Sequence, residues 1–370
     1  MGTLLMEAPS RCTGHWQGTR RAGWFSELQR WPLDRLALTL ALAAVPISIA
    51  ASETFLALAL VARIVRGTRG QRRPPLPAGF WPWLVFAGVV IFTWLISPDL
   101  AAGWSEIRRL LLVASLFFVM PAVAPAGSPL AAWKAVFIGS GVGSFFLIGD
   151  FIGRLFHYHR ELSAGGAVSL YLRTGGLLNH WMVFATVEIL VVAGLIAFWS
   201  HYPEHRKRWW PILILNSVAV ALSLTRTAWV TCLALVAFEV VWRRSKWIWL
   251  VPLLPLGFYF LAPSAIRLRV SESMKADYYS NQERLQMLRV GWRLIREKPL
   301  TGVGAGRMGE LYRSHINPGE PVPAYYGHLH NNLVQMAATQ GIPVALAAVL
   351  MAASFLVALV RAGRNAASLE

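Results

Sequence analysis

The residues best suited to chemistry are arginines and histidines gathered in one segment near the carboxyl end of the chain. Guanidinium groups bind phosphate through a planar, bidentate fork, and imidazole has a pKa of about 6.5 that suits proton removal. Because this segment, 263–330, lies between hydrophobic runs, we expect it to act on an anionic group at a membrane surface, such as a lipid-linked phosphate. Its basic residues are Arg267, Arg269, Lys275, Arg284, Arg289, Arg293, Arg296, Lys298, Arg307 and Arg313, and it ends in His328-Leu329-His330, before Asn331-Asn332.

Another candidate arginine lies outside this segment. Arg226 follows Ser223-Leu224-Thr225 and has hydrophobic runs on both sides. A guanidinium at that depth is costly unless it is paired, and phosphate is a suitable partner, although an arginine snorkelling to the membrane interface gives the same pattern. Arg284 and Arg289 could equally form a solvated helix face. Arg173, just before another apolar run, has the same two explanations.

The two histidines of the 328–330 sequence could ligate a metal ion, since imidazole is a common zinc ligand. The acid nearest in sequence is Glu320, however, and residues two apart on a helix point in different directions. A general base acting on a sugar hydroxyl is the better interpretation, and we expect neither a metal nor a cofactor. Glu188, well inside an apolar run, is either functional or paired within a helical bundle.

The composition is that of an integral membrane protein. The 370 residues are 56% hydrophobic and 14% charged, whereas soluble domains carry about a quarter charged residues. The formal net charge of +17 fits loops that set membrane topology or bind anionic lipid and phosphate. Nucleic acid is a poorer partner, because no recognisable binding module interrupts the apolar runs. Cys12 and Cys232 predict neither a disulfide framework nor a thiolate metal site.

The apolar runs do not alternate, so they predict transmembrane helices rather than barrel strands. We predict an all-α integral membrane protein, a polytopic helical bundle of about 10–12 transmembrane helices with a large helical periplasmic loop. A basic leader at 1–35 comes first, the bundle occupies 36–262, the catalytic loop 263–330, and a short helix, the last span and a tail 331–370. The first two spans should form a hairpin around Ser52-Glu53. Later spans are predicted at 79–97, 107–126, 129–152, 179–200, 209–225, 227–242, 246–264 and 342–361.

Clusters of basic residues predict the orientation of the spans. The clusters that agree lie at 66–73, 206–208, 243–246 and 361–364, and all four are cytoplasmic if the amino terminus is cytoplasmic. Arg108-Arg109 runs against this arrangement. Because successive spans cross the membrane in alternating directions, the same arrangement places Arg226 and the 263–330 loop on the periplasmic side. No cleavable signal is expected, so the first span would act as a signal anchor.

Within the loop, residues Asn281–Lys298 predict an amphipathic helix that Pro299 ends. Its apolar residues at helical spacing are Leu285, Leu288, Trp292 and Ile295. The glycines of the 302–306 segment follow a helix rather than a strand, so they predict a tight turn with close backbone approach and not a dinucleotide-binding loop.

These sequences together resemble the O-antigen ligase and polymerase superfamily. The resemblance lies in Asn281-Gln282-Glu283-Arg284, in Glu297-Lys298-Pro299-Leu300-Thr301-Gly302-Val303-Gly304, in His330-Asn331-Asn332 and in Gly341-Ile342. The Ser-x-Thr-Arg sequence that ends at Arg226 takes the place of the family's short arginine turn between two spans. The resemblance covers roughly residues 210–360.

The resemblance implies a metal-independent, GT-C-like glycosyltransferase of the bacterial inner membrane, whose periplasmic loop caps the active site. O-antigen ligases move a polysaccharide from undecaprenyl pyrophosphate to a terminal sugar of lipid A–core, so the implied partners are that donor, that acceptor and membrane lipids. Arg226 and Arg284 would hold the pyrophosphate, His330 would meet the acceptor hydroxyl, and Asn331 would orient nearby groups. Secondary binding candidates are Arg173, Arg289 and His328.

Three other functions fit the same sequence. An O-antigen polymerase would use a second lipid-linked repeat as acceptor, and a protein O-oligosaccharyltransferase would use a pilin-like hydroxyl. A polysaccharide or lipid transporter would share the hydropathy, but would more often place charges along a transmembrane path. Because the charges here cluster in one external loop, surface chemistry is favoured, and the His-Asn spacing favours the ligase over the polymerase.

Overall fold

A computed structural model of the chain describes residues 31–67, 77, 79–123, 128–163, 172–242, 246, 248–262, 264–275, 279–317, 319, 320, 322 and 326–367. Over these residues the protein is helical. Its helices are α1 Leu33–Ala44, α2 Ile49–Gly67, α3 Phe80–Leu95, α4 Leu100–Val119, α5 Ser128–Ser163, α6 Trp181–His201, α7 Arg206–Leu222, α8 Arg226–Trp242, α9 Leu254–Leu261, α10 Ser264–Ser273, α11 Tyr279–Glu297, α12 Met308–Leu311, α13 Asn332–Gln340 and α14 Ile342–Ala367. Most of the predicted leader and of the 66–73 cluster, and residues 243–245, lie outside the described ranges.

Long apolar helices confirm the prediction of an all-α polytopic membrane protein. By length and composition, three helical segments of the described chain could cross a membrane: Pro129–His157, Trp181–His201 and Ile342–Arg364. Two shorter apolar segments, Phe80–Leu95 and Ile248–Leu261, accompany them. Helix α5 packs against α6, and α3 packs against α14.

The predicted hairpin around Ser52-Glu53 is wrong, because the chain turns earlier. Helix α1 ends at Ala44, the turn contains Pro46, and Ser52-Glu53 lies inside α2. Proline has no backbone N–H to donate and its ring collides with the preceding turn, so Pro46 disfavours continuation of the helix. Asp34, buried on α1, then pairs with Arg66 on α2 at 3.0 Å.

Other predicted spans also have different bounds, and α5, predicted to end at 152, continues to Ser163. Helix α4 begins at Leu100 rather than 107, because the Asp99 carboxylate caps it by accepting from the Ala102 N–H at 2.9 Å. The span predicted at 246–264 is divided into a 3-10 segment, Ile248–Leu253, and the α-helix α9. Pro252 lies inside the first piece, where it interrupts α-helical hydrogen bonding.

Helix α11 confirms the predicted amphipathic helix, although its buried face is not the predicted one. Met287, Val290 and Leu294 are buried in a core shared with the glycine turn and with α13. Of the residues predicted for the apolar face, only Ile295 is buried, and the other three are exposed: Leu285, Leu288 and Trp292. The buried face includes Gly291. Because this residue has no side chain, Leu329 and Val334 can approach the helix closely.

The glycines after α11 form the predicted tight turn with close backbone approach, and this turn also connects the segment to the bundle. Gly302 has a φ of 65°, and a Cβ there would lie 2.3 Å from the backbone nitrogen of Gln340. The N–H of Val303 donates to the Ala338 carbonyl at 3.0 Å. Gly306 meets the first turn of α4, where a Cβ would lie 2.0 Å from the Ala102 carbonyl oxygen. The turn thereby holds α11 and α13 against the membrane helices.

Candidate functional site

A cavity of about 920 Å³ lies between the first turns of α6 and α8, the early part of α11, and the segment that leads into α13. Five of the seven site residues predicted from the sequence line it, although they are separated by up to 157 positions (330 minus 173). The lining residues are Arg173, His180, Trp181, Met182, Thr186, Leu224, Thr225, Arg226, Thr227, Glu283, Arg284, Met287, His328, His330 and Asn332.

A rigid turn places Arg226 at the cavity. Leu224 adopts a left-handed conformation, with a φ of 53°, and its side chain is 1% exposed. The indole N–H of Trp229 donates across the turn to the Ala221 carbonyl at 3.0 Å. Helix α8 then begins at Arg226, which is half-buried. The burial and hydrogen bonding of this turn fix the backbone from which the Arg226 side chain extends into the cavity.

Arg173 reaches the same cavity from the segment before α6. Leu172 is buried beneath it, and the Thr174 hydroxyl donates to the Asp150 carboxylate on α5. The guanidinium lies over the Trp181 ring, 5.4 Å from its centroid. A cation held over an aromatic face keeps its charge while its orientation is restricted.

Arg284 completes a set of three arginines around the cavity. It lies on α11, next to Glu283, and is exposed to the cavity side of that helix. Among the lining residues that the structure describes, Glu283 is the one carboxylate, so positive charge predominates there. Glu283 was not among the site residues predicted from the sequence.

Helix N-termini add to this positive potential. Three helices begin with residues that line the cavity: α6 at Trp181, α8 at Arg226 and α13 at Asn332. Backbone N–H groups at a helix start lack intrahelical acceptors, and the helix dipole gives that end a partial positive charge. Together with the arginines, these starts make the cavity suited to an anion such as phosphate. The sequence predicted where these helices begin, but only the tertiary fold shows that their starts lie around one cavity.

His330 lies at the edge of this basic cavity in a left-handed backbone conformation, with a φ of 52°. Its backbone N–H donates to Nδ1 of His328 at 2.8 Å. Burial lowers the pKa of the His330 imidazole, and the positive charges of His328, Arg284 and His180 lower it further. The pKa of His328 is also lowered, chiefly by burial, while a hydrogen bond with Asn332 opposes the shift. Both rings are therefore biased toward the neutral form.

Two of the predicted site residues do not line this cavity. Arg289 faces another side of α11, where it pairs with Glu320 at 3.7 Å. The Asn331 side chain caps α13 by accepting from the Val334 N–H at 3.1 Å. Asn331 therefore secures the helix start beside His330, which is a structural contribution to the same site.

Glu188 lies apart from the cavity, inside the bundle. Its carboxylate accepts a hydrogen bond from Ser140 at 2.5 Å, and the Asn216 amide donates to the same hydroxyl at 2.6 Å. This network joins α5, α6 and α7 and agrees with the alternative that Glu188 is paired within the bundle. Within the described residues, no three His, Cys, Asp or Glu side chains cluster closely enough to hold a metal ion.

The fold and this cavity define a helical membrane protein with a basic, histidine-bearing site where several helices begin. Residues 211–349 match the family model described as O-antigen ligase (Wzy_C). The match covers 139 of the 370 residues, so this part of the chain is similar to the O-antigen ligase family. The matched range contains Arg226, Arg284, His328 and His330, whereas Arg173 precedes it. Comparisons with curated proteins and with solved structures give no match.

Proposed function

We propose that this protein is an O-antigen ligase of the bacterial inner membrane, with its active site facing the periplasm. It would transfer a polysaccharide from undecaprenyl pyrophosphate to a sugar hydroxyl of lipid A–core, with inversion and without a metal ion. The observation that carries the proposal is the convergence of Arg173, Arg226, Arg284 and His330 on one cavity. The family match over residues 211–349 supports the same class of reaction.

The arginines would bind the donor pyrophosphate. The Arg173 guanidinium is held over the Trp181 ring and would need little reorganisation on binding, and a buried turn fixes the backbone position of Arg226. Arg284 approaches from α11 and would close over the phosphates from the loop side. Each charge-assisted contact to phosphate contributes about 1.5–3 kcal/mol, and the helix N-termini add to it.

The transfer step breaks one bond and forms another at the anomeric carbon of the donor sugar. The bond from that carbon to the phosphate oxygen breaks, and undecaprenyl pyrophosphate leaves with the electron pair. The acceptor oxygen forms the new glycosidic bond from the opposite face, and its proton passes to the His330 imidazole and then to water. The arginines would stabilise the negative charge that accumulates on the leaving pyrophosphate, and the histidine would raise the rate by roughly 10²–10⁴-fold.

The state of His330 fits this role. A general base must be neutral before it accepts a proton, and burial with the surrounding positive charges lowers the pKa of this imidazole. After proton transfer the imidazolium is next to Arg284 and His328, which favours rapid release of the proton.

An acceptor comparison tests the proposal. Full-length protein in lipid nanodiscs is incubated with undecaprenyl-pyrophosphate glycan and with one of three acceptors: rough lipopolysaccharide, a second lipid-linked repeat, or pilin. We expect transfer to rough lipopolysaccharide. Product formed only with the second repeat would identify a polymerase, and product formed only with pilin a protein O-oligosaccharyltransferase. Wild-type protein that consumes no donor with any acceptor would contradict all three.

A further inference from the structure

A groove separate from the candidate site lies between α5 and α6 and has a volume of about 650 Å³. Its lining residues on α6 run from Gly194 to His201, whereas Trp181, at the start of that helix, lines the candidate site. A helix of this length spans roughly 30 Å, which is about the thickness of the hydrocarbon layer of a membrane. The groove therefore lies near the opposite membrane surface, which the basic clusters of the sequence predict to be cytoplasmic.

A continuous row of aromatic rings forms the floor and one wall of the groove. Phe137 on α5 is 1% exposed and meets Phe198 on α6 with ring centroids 5.7 Å apart, and Phe198 meets Tyr202 at 4.8 Å. Trp133 extends the row beside Phe137 and is 44% exposed. Gly194 permits this arrangement, because a Cβ there would lie 2.6 Å from the Trp133 ring. The groove thus offers a preformed apolar surface on which an alkyl chain is stabilised.

Basic side chains follow the groove at its polar end. Beyond the lining residue Tyr202, the chain carries one carboxylate, Glu204, and then Arg206-Lys207-Arg208. The Arg206 guanidinium donates to the Trp199 carbonyl at 2.9 Å and lies over the Trp199 ring, whereas the other two basic residues are exposed. Basic clusters next to a membrane surface attract anionic lipids, so this end of the groove favours a negatively charged headgroup.

The start of α5 adds positive potential from the other side of the groove. Pro129 and Leu130, in the first turn of α5, line the groove, and Lys134 lies one turn further along the same helix. The first N–H groups of a helix lack intrahelical acceptors, and the helix dipole makes that end partly positive. A helix start beside basic side chains suits a phosphate group. The polar end of the groove is therefore complementary to a phosphate from both of its helices.

We propose that this groove binds an anionic phospholipid of the cytoplasmic leaflet, with the chemistry of phosphatidylglycerol. An acyl chain lies against the aromatic row, and the phosphate lies between the start of α5 and the 206–208 cluster. A zwitterionic lipid offers the same chains, but its headgroup also carries a positive charge that the basic cluster repels. The groove therefore distinguishes lipids by headgroup charge. This inference does not depend on the proposed glycan transfer, because the groove is at the other end of α6.

Competition photocrosslinking tests the site directly. In the full-length protein in detergent, a benzophenone amino acid replaces Ala197, which lines the groove and is exposed. We expect it to label phosphatidylglycerol, with phosphatidylcholine and chain-free glycerol phosphate competing at least about fivefold less well than phosphatidylglycerol. The same amino acid at Val241, 50% exposed on α8, is the control and should not distinguish the two lipids. Equal competition by phosphatidylcholine, a lack of any lipid adduct, or a crosslink to a second copy of the protein would overturn the proposal.

Two double variants test the basic cluster. Lys207→Gln with Arg208→Gln should weaken phosphatidylglycerol labelling at position 197 by about fivefold for each residue removed. Arg206 is left in place because its guanidinium makes a hydrogen bond within the protein. The matched control is Arg361→Gln with Arg364→Gln, which removes two exposed basic residues of α14 and should label as the wild type does. Equal labelling by the two double variants, with both folded as judged by thermal unfolding, would overturn the selectivity for an anionic headgroup and with it the proposal.

Discussion

The backbone N–H of His330 donates to Nδ1 of His328 at 2.8 Å, and the two imidazole rings meet edge to face with centroids 5.6 Å apart. Because Nδ1 of His328 accepts this bond, the proton of its neutral ring is on Nε2. The same bond stabilises the left-handed backbone conformation of His330, which residues with a Cβ adopt rarely. His328 is therefore a positioning residue, and His330 presents its ring to the basic cavity as a result.

The first prediction concerns the proposed base. His330→Asn should lower the transfer rate by roughly 10²–10⁴-fold, because the amide cannot accept the proton. Asparagine tolerates the left-handed conformation, so the variant should fold and insert normally. The rate is measured with undecaprenyl-pyrophosphate glycan and rough lipopolysaccharide.

The matched control for this variant is His315→Asn. His315 lies in the same loop, contacts Glu297 at 2.8 Å and does not line the cavity. This control should transfer glycan normally. Near-normal transfer by His330→Asn would remove the imidazole from the mechanism.

The second prediction concerns phosphate binding by Arg226. Arg226→Lys should weaken donor affinity by roughly 10–150-fold, because an ammonium cannot replace the bidentate contacts of a guanidinium, and most activity should be lost. Arg289→Lys removes the same fork from α11 outside the cavity and should leave donor affinity unchanged. The dissociation constant for undecaprenyl pyrophosphate is the quantity to measure. If Arg226→Lys binds undecaprenyl pyrophosphate as tightly as Arg289→Lys does, Arg226 does not hold the pyrophosphate.

The third prediction separates two effects of His328. One is the effect of its charge on the pKa of His330, and the other is its hydrogen bond to the His330 backbone. His330 acts when neutral, so activity is present above its pKa and is lost as pH falls through it. The charge of protonated His328 lowers that pKa, and its removal should therefore move the acidic limb of the kcat profile to higher pH. His328→Asn keeps an acceptor for the His330 N–H and should retain much of kcat at high pH. His328→Ala lacks that acceptor and should lose more. If the acidic limb is the same in both variants and in wild type, the coupling between the two imidazoles does not exist.

The fourth prediction concerns the glycine turn that docks α11 and α13 on the bundle. Gly302→Ala should lower the free energy of unfolding by about 1–3 kcal/mol, because the left-handed φ and the contact with the Gln340 backbone both oppose a Cβ. Gly309→Ala meets no atom within 4 Å and is the control. Thermal unfolding in detergent measures both. Equal stability of the two variants would mean that the turn tolerates a side chain and does not constrain the site.

The fifth prediction concerns metal ions. Transfer should continue at the same rate after treatment with EDTA, because arginines and helix N-termini would neutralise the leaving pyrophosphate in this mechanism. The rate before and after chelation is compared with the same acceptor. A strong loss that added divalent metal restores would overturn the metal-independent reaction.

The local features of the site could be predicted from the sequence because they depend on short-range patterns. Apolar periodicity and Pro299 predicted α11 and its end, and spacing predicted the glycine turn. The isolated position of Arg226 between two apolar runs likewise indicated a turn at a membrane surface. Each of these inferences needs only neighbours within a few helical turns.

The sequence by itself determined the membrane class, the amphipathic helix and the basic and imidazole groups available for chemistry, because composition and periodicity carry that information. Only the tertiary structure decided that Arg173 and His330 share a cavity, that Asn331 serves as a helix cap, and that α11 buries Met287 rather than Leu285. It also decided that α5 and α6 form an aromatic groove at the end of α6 farthest from the candidate site. These outcomes depend on which helix faces pack together, and packing is set by contacts between residues far apart in the chain.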